Sequence, residues 1–341
     1  MQYSKATTSG GGHLLDLIQN TTGFGGTDQE YLQILKIFLQ HLQTFQAAND
    51  QHNIAITCQQ LGILEQTRGN YQEAEDYYHQ SLAIKREFND QAGIAATLHQ
   101  LGTLKHKWGD YPNADKYYQQ SLDLVIALDD QAAIARTLHQ LAVLAQDQGS
   151  RVAASNYYHQ SLAINLAWGN QAGIATTLHQ LGTLAYEEGK LKDASDCFQQ
   201  SLAIEEKLGN RAGIAQTLGE LGNLATDTGD FTEAEHLYKR AIDIHQEGGQ
   251  LVEASLWIFN LALLYEQQER LNEALALLEQ AIEIADQTQF YQGKGFRVSL
   301  KRLRRKANSR KYKSFGMNWV AKLTNWATHR KQNDFNDDAH R

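Results

Sequence analysis

The chain has 341 residues, of which 42% are hydrophobic and 21% are charged, and it contains a single proline, Pro112. This composition allows a large buried core, and one proline in a chain of this length argues for helices and against a loop-rich all-β protein. Two cysteines, Cys58 and Cys197, are too few for a disulfide framework, so we expect a reducing, cytoplasmic location. Residues 1–12 lack the apolar run of a signal peptide, and no stretch of about 18 apolar residues predicts a membrane span.

The N-terminal part is predicted to be a disordered segment, residues 1–13, followed by a cap. Residues 30–47 carry closely spaced apolar side chains, which predict one helix. Shifted by 40 residues, Ile34 and Phe38 fall on the Ala74 and Tyr78 positions of the repeats that follow. We therefore expect residues 14–49 to form a capping helix or half repeat, because a stack of repeats must cover its terminal apolar face.

The central part, residues 50–289, repeats with a period of 40 residues. The string Gln-Ala-Gly-Ile-Ala begins at Gln91 and again at Gln171, and segments 90–129 and 170–209 are identical at 20 of 40 positions. Six repeats fill this part without a gap: 50–89, 90–129, 130–169, 170–209, 210–249 and 250–289. A unit of this size cannot bury its apolar face alone, so the repeats are expected to stack.

Each repeat is predicted to be an antiparallel pair of helices. In the second repeat Asp90 is a candidate N-cap, Gly109 interrupts the pattern, and Pro112 stands where the next helix begins, a position that tolerates proline. The first half of this repeat has apolar residues at helical spacing: Ile94, Leu98, Leu101 and Leu104. One small residue recurs in every second half and predicts close helix packing: Ala74, Ala114, Ala154, Ala194, Ala234 and Ala274.

These residues resemble the tetratricopeptide repeat. That family has Leu-Gly in the first helix, Gly between the helices and an aromatic residue after it, then Ala and a second aromatic residue. The second repeat has all of these: Leu101, Gly102, Gly109, Tyr111, Ala114 and Tyr118. Arg151 replaces the first aromatic residue in the third repeat, and Glu269 replaces the glycine in the sixth.

The period is longer than the common one of about 34 residues. It is similar to the long variant in kinesin light chains, spindle-orientation adaptors and bacterial signalling proteins. The resemblance implies an all-α, right-handed α-solenoid of six helix-turn-helix repeats, with an N-terminal capping helix and a basic C-terminal helical extension. It also implies a binding scaffold, although this fold alone does not give a function.

The resemblance further implies where a partner would bind, because this family lines its concave groove with first-helix residues. The corresponding positions here are Gln59, His99, Thr103, Arg136, His139, Thr176, His179, Thr183, Gln216 and Asn223. Gln and His donate and accept hydrogen bonds, which suits the backbone of an extended peptide or the polar face of a helix. The favoured alternative is that the histidines are polar residues copied by duplication. The Lys-and-Asn clamp with which some members bind a terminal carboxylate is not matched.

No feature of the repeats predicts an enzyme, a metal site or a cofactor. Histidines of successive repeats are expected to lie too far apart to share a zinc ion. No Gly-rich phosphate loop or Ser/His/Asp order stands out, and Cys58 and Cys197 occupy repeat positions that hold Leu or Tyr elsewhere. We therefore expect both cysteines to be packing residues.

The C-terminal part, residues 290–341, carries a net charge of +11, whereas the rest of the chain carries −19. This basic charge is compatible with three roles. The segment could be a capping helix with a solvated basic face, it could attach to an anionic membrane surface, or it could be an autoinhibitory segment that folds onto the acidic repeats. Nucleic acid is the weaker form of attachment, since the acidic repeats would repel phosphate. The candidate residues are Arg297, Lys301, Arg302, Arg304, Arg305, Lys306, Trp319 and Trp326.

The function predicted from the sequence is a non-catalytic adaptor that binds a peptide or helical segment of another protein in the groove. The alternative is a regulatory or sensor module of a bacterial signalling system, in which the tail attaches to a membrane surface or inhibits binding.

Overall fold

The structure is a computed structural model that describes residues 28–308. In this range the chain forms fourteen α-helices and no β-strand, so the predicted all-α fold is confirmed. The predicted disordered segment 1–13 and the first part of the predicted cap, residues 14–27, lie outside the described range, as do Trp319 and Trp326. None of the described helices is both long enough and apolar enough to cross a membrane.

Each predicted repeat contains one helix pair. The first helices of the repeats are α2 (Gln51–Arg68), α4 (Gln91–Trp108), α6 (Gln131–Asp147), α8 (Gln171–Glu187), α10 (Arg211–Thr228) and α12 (Leu251–Gln267). The second helices are α3 (Tyr71–Glu87), α5 (Tyr111–Ala127), α7 (Arg151–Trp168), α9 (Leu191–Leu208), α11 (Phe231–Glu247) and α13 (Leu271–Gln287). Helix α1 (Asp28–Ala47) precedes the repeats, and a helical segment, α14 (293–308), follows them.

Local sequence signals set the helix ends. The Asp90 side chain accepts a hydrogen bond from the backbone N–H of Gly93 at 2.9 Å, which caps α4 as predicted. Gly109 ends α4 with a φ of 83°, and Pro112 lies in the first turn of α5. Glu269 takes the glycine position of the sixth repeat and keeps its left-handed conformation, with a φ of 64°.

Close contact between the two helices of a repeat explains the recurrent small residues. All six alanines of the second helices are fully buried. Gly102 of α4 lies against the ring of Tyr118, and a Cβ at this position would be 2.6 Å from the ring carbon Cδ1. Gly222 faces Tyr238 in the same way at 2.8 Å. An aromatic ring therefore packs directly onto the backbone of the first helix.

The chain divides into two compact units, the first ending at Thr177 and the second beginning at Leu178, within α8. In the first unit α1 packs on α2 and buries Ile34, Phe38 and Leu42, as a capping helix would. In the second unit α14 buries Phe296 and Leu303 in the core that includes α12 and α13. Terminal apolar surface in each unit is thus covered by a helix outside the repeats.

Candidate functional site

The predicted groove residues that are exposed belong to one row of the first helices. Arg136 on α6 and Thr176 on α8 are exposed in the first unit, and Gln216 on α10 is exposed in the second unit. The other repeats have Ile56, Ala96 and Leu256 at this position. The row therefore carries a different side chain in each repeat.

The predicted histidines are mostly built into the core of their repeats. His99 packs on Tyr118 with ring centroids 5.5 Å apart, and His139 packs on Tyr158 at 5.4 Å. In the second unit His179 packs on Phe198 at 5.5 Å. These rings lie edge-on or tilted to the aromatic residue of the second helix, which favours packing. The histidine rings therefore contribute to packing within the repeats, and only part of each ring remains accessible to a ligand.

Hydrogen bonds between successive first helices fix two of these histidines. Nδ1 of His99 lies 3.2 Å from Oγ1 of Thr137, and Nδ1 of His179 lies 3.0 Å from Oγ1 of Thr217. Burial lowers the pKa of both rings to about 4, and for His99 the charge of Arg136 adds to this shift. Both histidines are therefore neutral at physiological pH.

The other predicted groove residues are partly exposed and already make internal hydrogen bonds. Oγ1 of Thr103 accepts a hydrogen bond from the Tyr118 hydroxyl at 3.1 Å, and Thr183 donates to the backbone carbonyl of His179 at 3.2 Å. Oδ1 of Asn223 accepts from the Tyr238 hydroxyl at 2.7 Å. Oε1 of Gln59 accepts from the Lys85 ammonium group. Hydrogen-bonding groups of these residues are thus already used within the protein, which leaves fewer of them for a ligand.

One cavity in the first unit brings three predicted residues together. It has a volume of about 250 Å³ and is lined by Arg136, His139 and Thr176, with Asn165 of α7 among the buried residues. Within the described range Arg136 forms no ion pair with a carboxylate, so its guanidinium donors are available. Arginine and amide donors suit a carboxylate or a backbone carbonyl of a bound segment.

The first repeat has a cavity at the equivalent place with different chemistry. Its volume is about 390 Å³, and its lining includes Ile56, Ile84 and Phe88 together with the ammonium-bearing side chain of Lys85. Ile84, Lys85 and Phe88 were not predicted, because the groove positions of this family lie on the first helices. Their second-helix positions could have been found by asking which buried residues change from repeat to repeat.

The basic face of α14 is partly neutralised by acidic residues of the last repeat. Arg302 lies 2.6 Å from the Glu266 carboxylate, Arg304 lies 2.7 Å from Glu279, and Arg297 pairs with Asp286. Lys306 is 3.5 Å from Glu269. Lys301 and Arg305 are exposed. Since Phe296 and Leu303 are buried, this part of the tail is a capping helix held by packing and ion pairs.

The described residues hold no group of three or more His, Cys, Asp or Glu side chains that could bind a metal ion. Cys58 is buried, which raises its thiol pKa to about 11, and burial also raises the pKa of the half-buried Cys197. Both cysteines are therefore thiols at neutral pH, without the environment of a reactive nucleophile.

The comparisons with known proteins agree with this architecture. The tetratricopeptide repeat family model matches six overlapping segments: 27–87, 57–127, 93–167, 133–207, 173–247 and 213–287. No curated protein matches the chain in sequence.

Among solved structures, BtubC (BKLC) from P. vanneervenii is similar with a TM-score of 0.56 and 22% identity, covering 63% of this chain and 90% of that one. Aspartyl phosphate phosphatase F from Bacillus subtilis is similar with a TM-score of 0.61 and 16% identity, covering 77% and 67%. A Rap protein complexed with competence and sporulation factor gives a TM-score of 0.55 and 16% identity, covering 88% and 98%. At these identities the likeness shows the fold, and the matched repeats span most of the chain. The chain belongs to the tetratricopeptide repeat family.

Proposed function

We propose that this protein is a non-catalytic adaptor that binds a peptide or helical segment of another protein on the first-helix surface of its repeats. The main evidence is the cavity between the third and fourth repeats, which is lined by Arg136, His139 and Thr176. The Arg136 guanidinium group has no ion-pair partner within the described residues. The exposed Arg136 side chain can donate charge-assisted hydrogen bonds to a carboxylate or carbonyl of a bound segment.

Known structures support this proposal by analogy. A Rap protein with the same kind of fold has been solved in a complex with competence and sporulation factor. Fold similarity at 16% identity does not transfer the ligand. It does support the idea that a stack of such repeats can hold a partner.

The alternative function is that of a regulatory or sensor module in a bacterial signalling system. Similarity to aspartyl phosphate phosphatase F favours this role only at the level of the fold. Four basic residues of α14 already pair with acidic residues of the last repeat, so Lys301 and Arg305 are the better candidates for binding an anionic surface. Membrane attachment or autoinhibition would then depend mainly on residues 309–341, which include Trp319 and Trp326 and lie outside the described range.

Peptide binding can be tested by selecting a random dodecapeptide library displayed on phage against the full-length protein. The affinity of enriched synthetic peptides is then measured by fluorescence anisotropy for the wild type and for the double variant Arg136→Ala/Thr176→Ala. Because both residues are exposed, the variant should fold normally. Loss of a charged hydrogen bond predicts a decrease in affinity of about tenfold or more.

The matched control is Arg151→Ala, which removes an exposed arginine of the same repeat from its second helix. This variant should bind the peptides as the wild type does. Equal affinity of the wild type and Arg136→Ala/Thr176→Ala would contradict the proposed surface, and failure of the library to yield any binder would contradict peptide binding. Histidine variants are less informative, because the rings also support the core.

A further inference from the structure

One buried position near the end of each second helix changes its chemistry from repeat to repeat. We call it the variable row: Lys85, Val125, Asn165, Glu205, His245 and Ala285. Every member is less than 9% exposed. Four residues earlier the chain keeps a buried serine in four successive repeats, and Ser81, Ser121 and Ser161 each donate to a backbone carbonyl of the first helix. In these repeats the chemistry therefore changes at a buried position that lies one helical turn after a constant buried serine.

Glu205 differs from the other polar members of this row in how it is bonded. Lys85 donates to Thr97 at 2.9 Å, and Nδ1 of His245 lies 2.8 Å from Gln250. Oδ1 of Asn165 accepts from Asn170 at 2.8 Å. The Glu205 carboxyl group interacts with the Asn210 amide, but its Oε2 is buried and has no hydrogen-bond partner within the described residues.

The surroundings of Glu205 disfavour a carboxylate. Glu205 lies in the last turn of α9, where the negative end of the helix dipole repels an anion. Burial raises its pKa, which agrees with a poorly solvated group. A carboxylate oxygen that is removed from water and given no donor destabilises the folded state. Fold stability therefore does not account for Glu205.

The neighbouring backbone makes room for this side chain. A Cβ on Gly213 of α10 would lie 2.6 Å from Cδ of Glu205, so a larger residue there would require the carboxyl end of Glu205 to move. At the junction of the second and third repeats the corresponding pair is Val125 and Ala133, both buried in one apolar cluster. The fold thus accommodates an apolar pair at these two positions. The equivalent positions between the fourth and fifth repeats hold Glu205 and Gly213 instead.

The variable row can be reached from the first-helix surface. Asn165, the counterpart of Glu205 one repeat earlier, lines the same cavity as Arg136 and Thr176 in the first unit although it is only 5% exposed. In the second unit Gln216 is exposed on α10 one turn after Gly213, and therefore on the same side of the helix. A long side chain of a segment bound near Gln216 would reach the Glu205 carboxylate after a small opening.

We propose that Glu205 is a specificity-determining residue that accepts a hydrogen bond from a lysine or arginine side chain of the bound segment. The cation would supply the donor that Oε2 lacks, and a charge-assisted bond in a site shielded from water would favour it over an apolar side chain. This inference rests on the proposed function, because it assigns ligand chemistry to the same surface.

The test uses two libraries of N-acetylated, C-amidated dodecapeptides that differ only in one central residue, lysine in one and norleucine in the other. Full-length wild type should retain the lysine library about tenfold more strongly. Glu205→Gln keeps the shape of the side chain and should lose this preference while it still binds the norleucine peptides. An unchanged lysine preference in Glu205→Gln, or no preference in the wild type, would overturn the role of Glu205 and leave peptide binding intact.

A second variant separates ligand selection from structure. Glu205→Val/Gly213→Ala places the apolar pair Val125 and Ala133, found between the second and third repeats, at the equivalent positions between the fourth and fifth repeats. It should melt at a higher temperature than the wild type at neutral pH and should lose the lysine preference. A lower melting temperature would show that Glu205 supports the fold and would overturn the proposal. If neither library binds the wild type, both the proposed function and this inference fail.

Discussion

The predicted groove residues differ in how far their side chains are buried by their neighbours. Arg136 is exposed and unpaired among the described residues, whereas His99 is packed on Tyr118 and bonded to Thr137. Both were predicted as groove residues from their position on a first helix. Their different roles depend on which neighbours fill the space around them, and a single sequence does not show those neighbours.

The buried histidines predict a loss of stability in mild acid. Burial holds the pKa of His99 and His179 at about 4, below the ordinary value of 6.5, so their contribution to stability is present above pH 6.5 and is lost as the pH falls toward 4. Each ring should cost up to about 2 kcal/mol of unfolding free energy between pH 7 and pH 5. Urea unfolding followed by circular dichroism at both pH values measures this loss.

The control for this prediction comes from the chain itself, because the first repeat has Gln59 at the histidine position. His99→Gln/His179→Gln should therefore fold and should lose less stability than the wild type on acidification. An identical pH dependence of the two proteins would show that other groups cause the acid sensitivity.

The positions and ends of the helices were largely predictable from the sequence, whereas the burial of the variable row was not. The 40-residue period places the helix pairs, and Asp90, Gly109 and Pro112 mark helix ends that the structure has. The variable row was not predicted, since its members share no chemistry and the helical pattern accepts either an apolar or a polar residue there. Only the packing shows that Lys85 and Glu205 are buried.

Helix α14 shows how charge and burial combine in the basic tail. The sequence alone did not distinguish between three roles for this segment: a capping helix, an attachment site and an autoinhibitory segment. In the described part, Leu303 is fully buried while Arg302 and Arg304 pair with acidic residues of the last repeat. Exposed ion pairs of this kind contribute little, so the apolar residues should provide most of the stabilisation.

We therefore expect Leu303→Ala to destabilise the second unit by about 2–5 kcal/mol, because it creates a cavity beneath α14. Hydrogen exchange of α13 and α14 should accelerate, and the urea midpoint should fall. Val298→Ala is the matched control on the same helix, since Val298 is 70% exposed and should change stability by about 0.5 kcal/mol or less. A Leu303→Ala variant as stable as Val298→Ala would contradict the capping role.

At the scale of the whole molecule, charge is divided between an acidic body and a basic tail. Residues 290–341 carry a net charge of +11 in a protein whose total is −8. Ion pairs with acidic residues of the last repeat neutralise four of the basic side chains of α14. Lys301 and Arg305 of α14 are exposed, and the first helices carry a different side chain in each repeat at the row that includes Arg136 and Thr176.

Peptide binding on the first helices is tested most directly by finding where a bound peptide contacts the protein. A library-selected peptide with a benzoylphenylalanine residue is cross-linked by light to the full-length protein, and the attachment sites are mapped by mass spectrometry. Peptide binding on the first helices predicts cross-links on α4, α6, α8 or α10, near Arg136, Thr176 or Gln216. Cross-links confined to the second helices or to residues 290–341 would contradict the account.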